Sequence, residues 1–239
     1  MRLFYSSPLP NPLPKGEGVK RRNVVARNCN SERYRVRIAS VSNSRRDLID
    51  LLQLAYSGEL AAAYAYRGHW KSVTDRNQRA SIQSIEEDEW RHRKQVGEML
   101  ASLAAAPDQR RELRATIIGR VLGLLCHVMG WLAPMYGAGK LESRNIREYE
   151  TAARHARDCD RADLIDCLLE MAEVEWEHEL YFRSRVREHF LGRRLALWPQ
   201  PPPKETIRIS LEREPVASVD VCNQDGRAVT EPGAVATGS

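Results

Sequence analysis

At 239 residues, with 42% hydrophobic and 29% charged side chains, the chain is a soluble globular protein of one or two domains. Three Phe among many Leu, Ala, Glu and Arg favour helix. The net charge of +5 comes from Arg scattered among Glu and Asp, without the basic, aromatic-interleaved stripe of a nucleic-acid surface, so no nucleic acid is expected as a partner.

The 5 Cys (Cys29, Cys126, Cys159, Cys167, Cys222) are odd in number and form no Cys-x-x-Cys pair. That pattern opposes zinc knuckles, a rubredoxin centre or a disulfide framework and points to a reducing, cytoplasmic compartment. A secretory signal is not expected, because Met1 to Pro14 is broken by proline before an apolar run can form. Residues 1–44 are expected to be disordered, or to precede a true start further on. Their Ser/Pro/Gly-rich opening cannot hold regular structure, and residues 21–44 are basic and polar without clear periodicity.

A first helix is predicted from Ser44, its cap, to Ser72, with Asp47 in its first turn. Leu48, Leu52, Ala55, Glu59, Ala62 and Tyr66 recur at steps of three and four, which sets Glu59 on an apolar stripe. Val73 to Arg79 reads as a turn and Ala80 to Ala105 as a second helix, stopped by Ala106-Pro107-Asp108. Its stripe is Ile82, Ile85, Glu89, His92, Val96 and Met99.

From Val121 to Gly137 the chain is apolar apart from His127, and it carries Gly123, Gly130, Pro134 and Gly137. This run falls short of the ~20 residues of a membrane span, and Pro134 would kink it. Two readings fit: a buried crossover helix between two hairpins, or an apolar flap that lies on a membrane surface or walls a substrate channel. A third helix follows from Leu141 to Arg157, and a fourth from Ala162 to Phe190 with the stripe Leu164, Leu168, Met171, Glu175, His178 and Phe182. Beyond Trp198 and the prolines that follow it the helical pattern stops, so 193–239 is expected to be a disordered tail, a short strand there being compatible. Residues 45–192 are therefore expected to form one helical bundle.

Glu89-x-x-His92 and Glu175-x-x-His178 each put a carboxylate and an imidazole on one helical face. Buried carboxylates are costly unless paired or bound to a cation. One glutamate from each of two helices plus a Glu-x-x-His from each of two others is the ligand set of the ferritin-like di-iron carboxylate bundles. Mixed O and N ligands suit two iron ions, or manganese. The third helix offers Glu142, Glu148 and Glu150. Glu142 lies 18 residues before the turn at Asp160 and Glu148 lies 12, against 15 for Glu175 after it. Each is thus displaced by 3 residues, or ~4.5 Å, so turn distance excludes Glu150 and leaves both others open.

Several segments resemble the demethoxyubiquinone hydroxylase family. Ser57-Gly58-Glu59 followed by Tyr66 and Gly68 looks like its first metal helix, and Glu86 to His92 resembles its acidic Glu-x-x-His segment. Arg114-Ala115-Thr116 is similar to the Arg-Pro-Thr that opens its apolar crossover. Leu141-Glu142 with Tyr149 at i+7 matches its third helix, and Glu175-x-x-His178 its fourth. The resemblance covers residues 46 to 190 and selects Glu142, with Glu148 in reserve. Glu148 departs from the pattern, standing where the family carries a His, and the crossover is shorter here.

This resemblance implies an all-α, ferritin-like four-helix bundle with an apolar crossover helix between two hairpins. It implies metal ligation by Glu59, Glu89, His92, Glu142, Glu175 and His178, and oxygen-dependent hydroxylation of an apolar quinone-like or isoprenoid substrate. Tyr66 and Tyr149 are candidate catalytic residues, against the plainer reading of core packing with a satisfied hydroxyl. The remaining histidines, His69, His127, His155 and His189, read as surface or ordinary core groups, and Trp90 and Trp176 as outer-face packing. Expected partners are dioxygen, an electron donor and the apolar substrate; the cytoplasmic face of a membrane and a second copy of the chain are further options. The alternative function is a ferritin-like iron-binding protein or ferroxidase with no hydroxylase substrate.

Overall fold

A computed structural model describes the backbone of residues 18–213 and the side chains of residues 37–212. The chain divides into two units, Met1–Ile38 with Val219–Ser239, and Ala39–Ser218. Apart from the N-terminal part of α1, the elements described lie in the second. Helices α1 (Gly18–Ser72), α2 (Arg76–Ser102), α3 (Gln109–Leu125), α4 (Leu132–Asp158), α5 (Ile165–Glu188) and α6 (Thr206–Arg213) follow in order, with no strand among the described residues.

The first helix differs from the sequence expectation, since α1 begins at Gly18 rather than Ser44. Residues 19–44 hold no Pro or Gly, so nothing local interrupts a helix there. The expectations for residues 1–17 and 214–239 lie outside the described residues.

Three residues separate α1 from α2. Asp75 caps α2, accepting a hydrogen bond from Gln78 N at 2.8 Å. Hydrogen bonds from Arg45 to Leu103 O (2.9 Å) and from Gln53 to Ala106 O (2.7 Å) tie the far ends of this antiparallel pair. The α4–α5 turn passes through Asp160 at φ +59°, a left-handed conformation that Asp tolerates better than most residues. The two hairpins form a four-helix bundle whose apolar interior is split in two. Leu48, Leu52, Val96, Leu100, Ile146 and Leu168 fill one end, and Ala62, Ile82, Ile85, Met135, Phe182 and Val186 fill the other. On each of the four helices, the predicted ligands fall between a residue of one cluster and a residue of the other.

Of the two readings of the crossover, the buried helix fails here, and so does part of the tail expectation, for reasons of packing. The crossover is not buried: Leu113, Ile117, Val121, Leu124 and Val128 all face outward, Leu124 71% and Val128 77% exposed. Instead α3 turns its small residues Ala115, Gly119 and Gly123 against α1. A Cβ on Gly68 would stand 2.2 Å from Gly123 O, and one on Gly119 would stand 2.4 Å from Ala61 O. The backbones touch, and the large apolar side chains have nowhere to go but out. No described helix is long and apolar enough to cross a membrane.

Residues 193–213 of the expected disordered tail are ordered. Trp198 is buried against Gly139 and Phe182 and meets Tyr136 edge-on at 5.2 Å. Trp176 Nε1 donates to Pro202 O at 2.9 Å, and Ile207 of α6 sinks fully into the core. Two apolar side chains with sockets in the bundle outweigh the helix-breaking prolines between them.

Candidate metal centre

Glu59 on α1, Glu89 and His92 on α2, Glu142 on α4, and Glu175 and His178 on α5 all point into the layer between the two apolar clusters, and all six are buried. They fall into two groups. Glu59, Glu89, His92 and Glu175 form one, and Glu89, Glu142, Glu175 and His178 the other; within each group, ligand atoms lie within 4.8 Å of one another. Glu89 and Glu175 belong to both. Glu148 belongs to neither; its carboxylate accepts from Arg144 Nε at 2.6 Å on the outside of α4.

The bonds within the layer cross the bundle. His92 Nδ1 is 3.0 Å from Glu175 Oε1. His178 Nδ1 is 3.7 Å from both Glu89 Oε1 and Glu175 Oε2. Tyr66 donates its hydroxyl to Glu142 Oε1 and Tyr149 donates its own to Glu59 Oε1, each hydroxyl reaching a glutamate on the opposite hairpin. Asn145 Nδ2 donates to the other oxygen of Glu142 at 3.1 Å.

Sequence reasoning missed Asp88. Its Oδ2 lies 3.0 Å from His178 Nε2, which fixes the ring and leaves Nδ1 turned towards Glu89 and Glu175. The available signal was the acidic run before Glu89, in which Asp88 is the residue adjacent to the stripe. His69, read as a surface or ordinary core group, is a core one. It continues the α1 stripe three residues past Tyr66, is 2% exposed, and has no hydrogen-bond partner for Nε2 among the described residues.

Packing acids this closely perturbs them strongly. Burial raises the pKa of Glu59, and burial together with neighbouring carboxylates lifts Glu89 and Glu142 well above the usual range. Burial acts upward on Glu175 too, but the neighbouring Glu142, His178 and His92 side chains outweigh it and hold this carboxyl well below that range. Burial alone would lower His178, yet Asp88 and Glu175 raise it to about 9. Tyr149 is pushed well up by burial and by the facing carboxylates, so it remains a hydroxyl donor.

The residues fit a bound metal. Glu59 Oε2, both oxygens of Glu89, Glu175 Oε2 and His178 Nδ1 are buried with no partner among the described residues. One such atom left unsatisfied costs about 1–3 kcal/mol, and a core that strands five in one layer is built for a ligand. Hard carboxylate oxygens with two imidazole nitrogens suit a metal of that ligand preference, not a thiolate-bound one.

Fold and layer together define a ferritin-like four-helix protein with a carboxylate–imidazole centre able to hold metal. Within that class the affiliation is specific. Residues 46–180, more than half of the chain, match the family model of ubiquinone biosynthesis protein COQ7, and the chain belongs to that family, the demethoxyubiquinone hydroxylases. No curated protein and no solved structure matches it.

Proposed function

We propose that the protein is an oxygen-dependent hydroxylase with two irons, acting on an apolar quinone-like or isoprenoid substrate in ubiquinone biosynthesis. The observation that carries this reading is the pair of buried ligand groups sharing Glu89 and Glu175. Glu59 and His92 would hold one ion, Glu142 and His178 the other, and the two shared carboxylates both. Two irons bound there would supply the activation of dioxygen, one atom of which would enter a C–H bond while the other left as water, with two electrons from a donor and two protons.

The protein's own residues prepare that chemistry. Tyr66 and Tyr149 hold Glu142 and Glu59 in fixed orientations, and Asp88 does the same for His178. The apolar clusters on either side keep the layer dry. A cavity of about 340 Å³ reaches Tyr66 from the α3 side, lined by Ala62, Leu122, Leu125, Met129 and Leu141 among others. A site built this way receives an apolar molecule, which favours a hydroxylase over an iron-storing ferroxidase. The outward apolar side chains of α3 extend the reading to a membrane surface from which such a molecule would arrive.

The test is metal analysis with oxygen uptake. Two irons per chain, and uptake that depends on an added quinone lacking one ring hydroxyl and yields that hydroxylated ring, are expected. An iron-loaded protein that consumes oxygen only with added ferrous iron, and never with a quinone, overturns the proposal in favour of a ferroxidase.

A further inference from the structure

The cavity beside α3 is apolar apart from three side chains: Tyr66, His69 and Cys126. The Tyr66 hydroxyl is already given to Glu142, and Cys126 is a weak donor at best. His69 alone brings a strong hydrogen-bonding group that is not committed. Its ring is 2% exposed, and Nε2 has no partner among the described residues. Burial lowers the imidazole to about 4, so at neutral pH it is uncharged.

An unpartnered buried imidazole in an otherwise apolar wall costs stability that Leu or Phe would not. Its neighbours are planar as well. His69 stacks on Tyr66 at 6.4 Å and 23°, and on Phe182 at 6.0 Å and 15°, so the ring itself is held rigidly. It stands three residues along α1 from Tyr66, which contacts the metal layer through Glu142.

We propose that the His69 imidazole hydrogen-bonds a ring oxygen of the substrate inside this cavity, and so determines which rings are accepted and how they are turned towards Tyr66 and the ligand layer. The idea rests on the cavity being the substrate site of the hydroxylase. A neutral imidazole donates to a quinone carbonyl or accepts from a phenolic hydroxyl, according to its tautomer. It offers nothing to a hydrocarbon of the same shape. His69 would thus be a positioning and specificity residue, working at a distance from the metal ligands.

The experiment measures binding first, by calorimetry on the full-length metal-loaded protein. The probes are a methoxy-substituted 1,4-benzoquinone bearing one isoprenyl unit and the alkylbenzene bearing the same unit. Wild type is expected to prefer the quinone. His69→Phe should cut that preference about 10-fold or more, the usual consequence of removing one partner of a buried hydrogen bond, and leave hydrocarbon affinity unchanged. His69→Gln, which can still donate and accept, should recover most of it. In turnover, His69→Phe should raise KM for the quinone and yield a mixture of ring positions.

A His69→Phe protein with an unaltered quinone preference overturns the proposal, as does equal loss of affinity for both probes, which marks a packing role. Should His69→Phe fail to fold, His69→Leu carries the same comparison. Because binding is read independently of turnover, a protein inactive towards oxygen that still shows this His69-dependent preference supports the assignment while overturning the hydroxylase.

Discussion

Two buried polar clusters lie within one turn of each other on α5, and they are built on opposite principles. At Glu179, 1% exposed, every bond closes. Its Oε1 accepts from Arg183 Nε at 2.7 Å and from Trp198 Nε1 at 2.6 Å, and Arg183 donates onward to Trp198 O at 3.2 Å and Pro199 O at 3.1 Å. One turn earlier, Glu175 and His178 face three further glutamates, and five atoms of that layer are left without partners among the described residues. A complete network holds the chain in place; an incomplete one, surrounded by apolar side chains, waits for a ligand. The knot at Glu179 fastens the strap of residues 195–203 to the bundle, and the layer at Glu175 is the proposed metal site.

Four measurements break or sharpen that contrast. The largest effect is expected at the closed network. Arg183→Ala leaves Glu179 buried and uncompensated, which should cost about 3–5 kcal/mol of stability in chemical denaturation while metal content stays at the wild-type value. A loss of metal with little loss of stability would erase the distinction between the two clusters.

The open layer should instead show itself through pH. In metal-free protein His178 is raised to about 9 from an ordinary 6.5, so its contribution is fully present below pH 6.5 and is lost as pH rises through 9. The raised Glu89 and Glu142 act in the same direction, since each keeps a proton that the unfolded chain gives up. Glu175 and Asp88, both lowered, lose their contribution only in acid. Thermal melting of metal-free protein should therefore fall between pH 6.5 and 9, the His178 part being at most about 3 kcal/mol. Metal-loaded protein should show a much flatter profile, because a bound imidazole is neutral throughout.

Glu89→Gln comes next and is expected to act with opposite signs. It removes an acid shared by both ligand groups, so metal affinity and quinone-dependent oxygen uptake should fall about 100-fold, the upper end of what supporting residues alone cause. It also removes a buried group whose ionised form is strongly disfavoured, so metal-free protein should melt no lower than wild type at pH 8. The smallest effect is assigned to Asp88→Ala, which frees the His178 ring without deleting a ligand. About a 10-fold weaker metal affinity, measured by competition with a chelator, is expected.

Much of the layer could be read from spacing. A carboxylate and an imidazole three residues apart on an apolar helical stripe must share a buried face, whatever the helix packs against, and this holds for Glu89 with His92 and for Glu175 with His178. The choice between Glu142 and Glu148 was different. Both lie three residues from level with Glu175, and only the rotation of α4 against α5 sends Glu142 inward and leaves Glu148 with Arg144. Asp88 was passed over, and His69 was read only as a surface or ordinary core group, because their meaning depends on partners, or on a cavity, outside their own helix. His178 lies 90 residues from Asp88, and most of the apolar cavity wall beside His69 comes from α3, α4 and the segment joining them.

The sequence by itself determined the helices of the bundle, the stripe on each and the residue types available to bind a cation, because 3.6-residue periodicity is a local property of the chain. Tertiary structure alone decided which way the crossover faces and whether the residues after α5 are held. An apolar run looks the same to a one-dimensional reading whether its side chains turn in or out. Here close contact between Gly119, Gly123 and the α1 backbone drives the large side chains outward, while sockets for Trp198 and Ile207 exist only once four helices have come together.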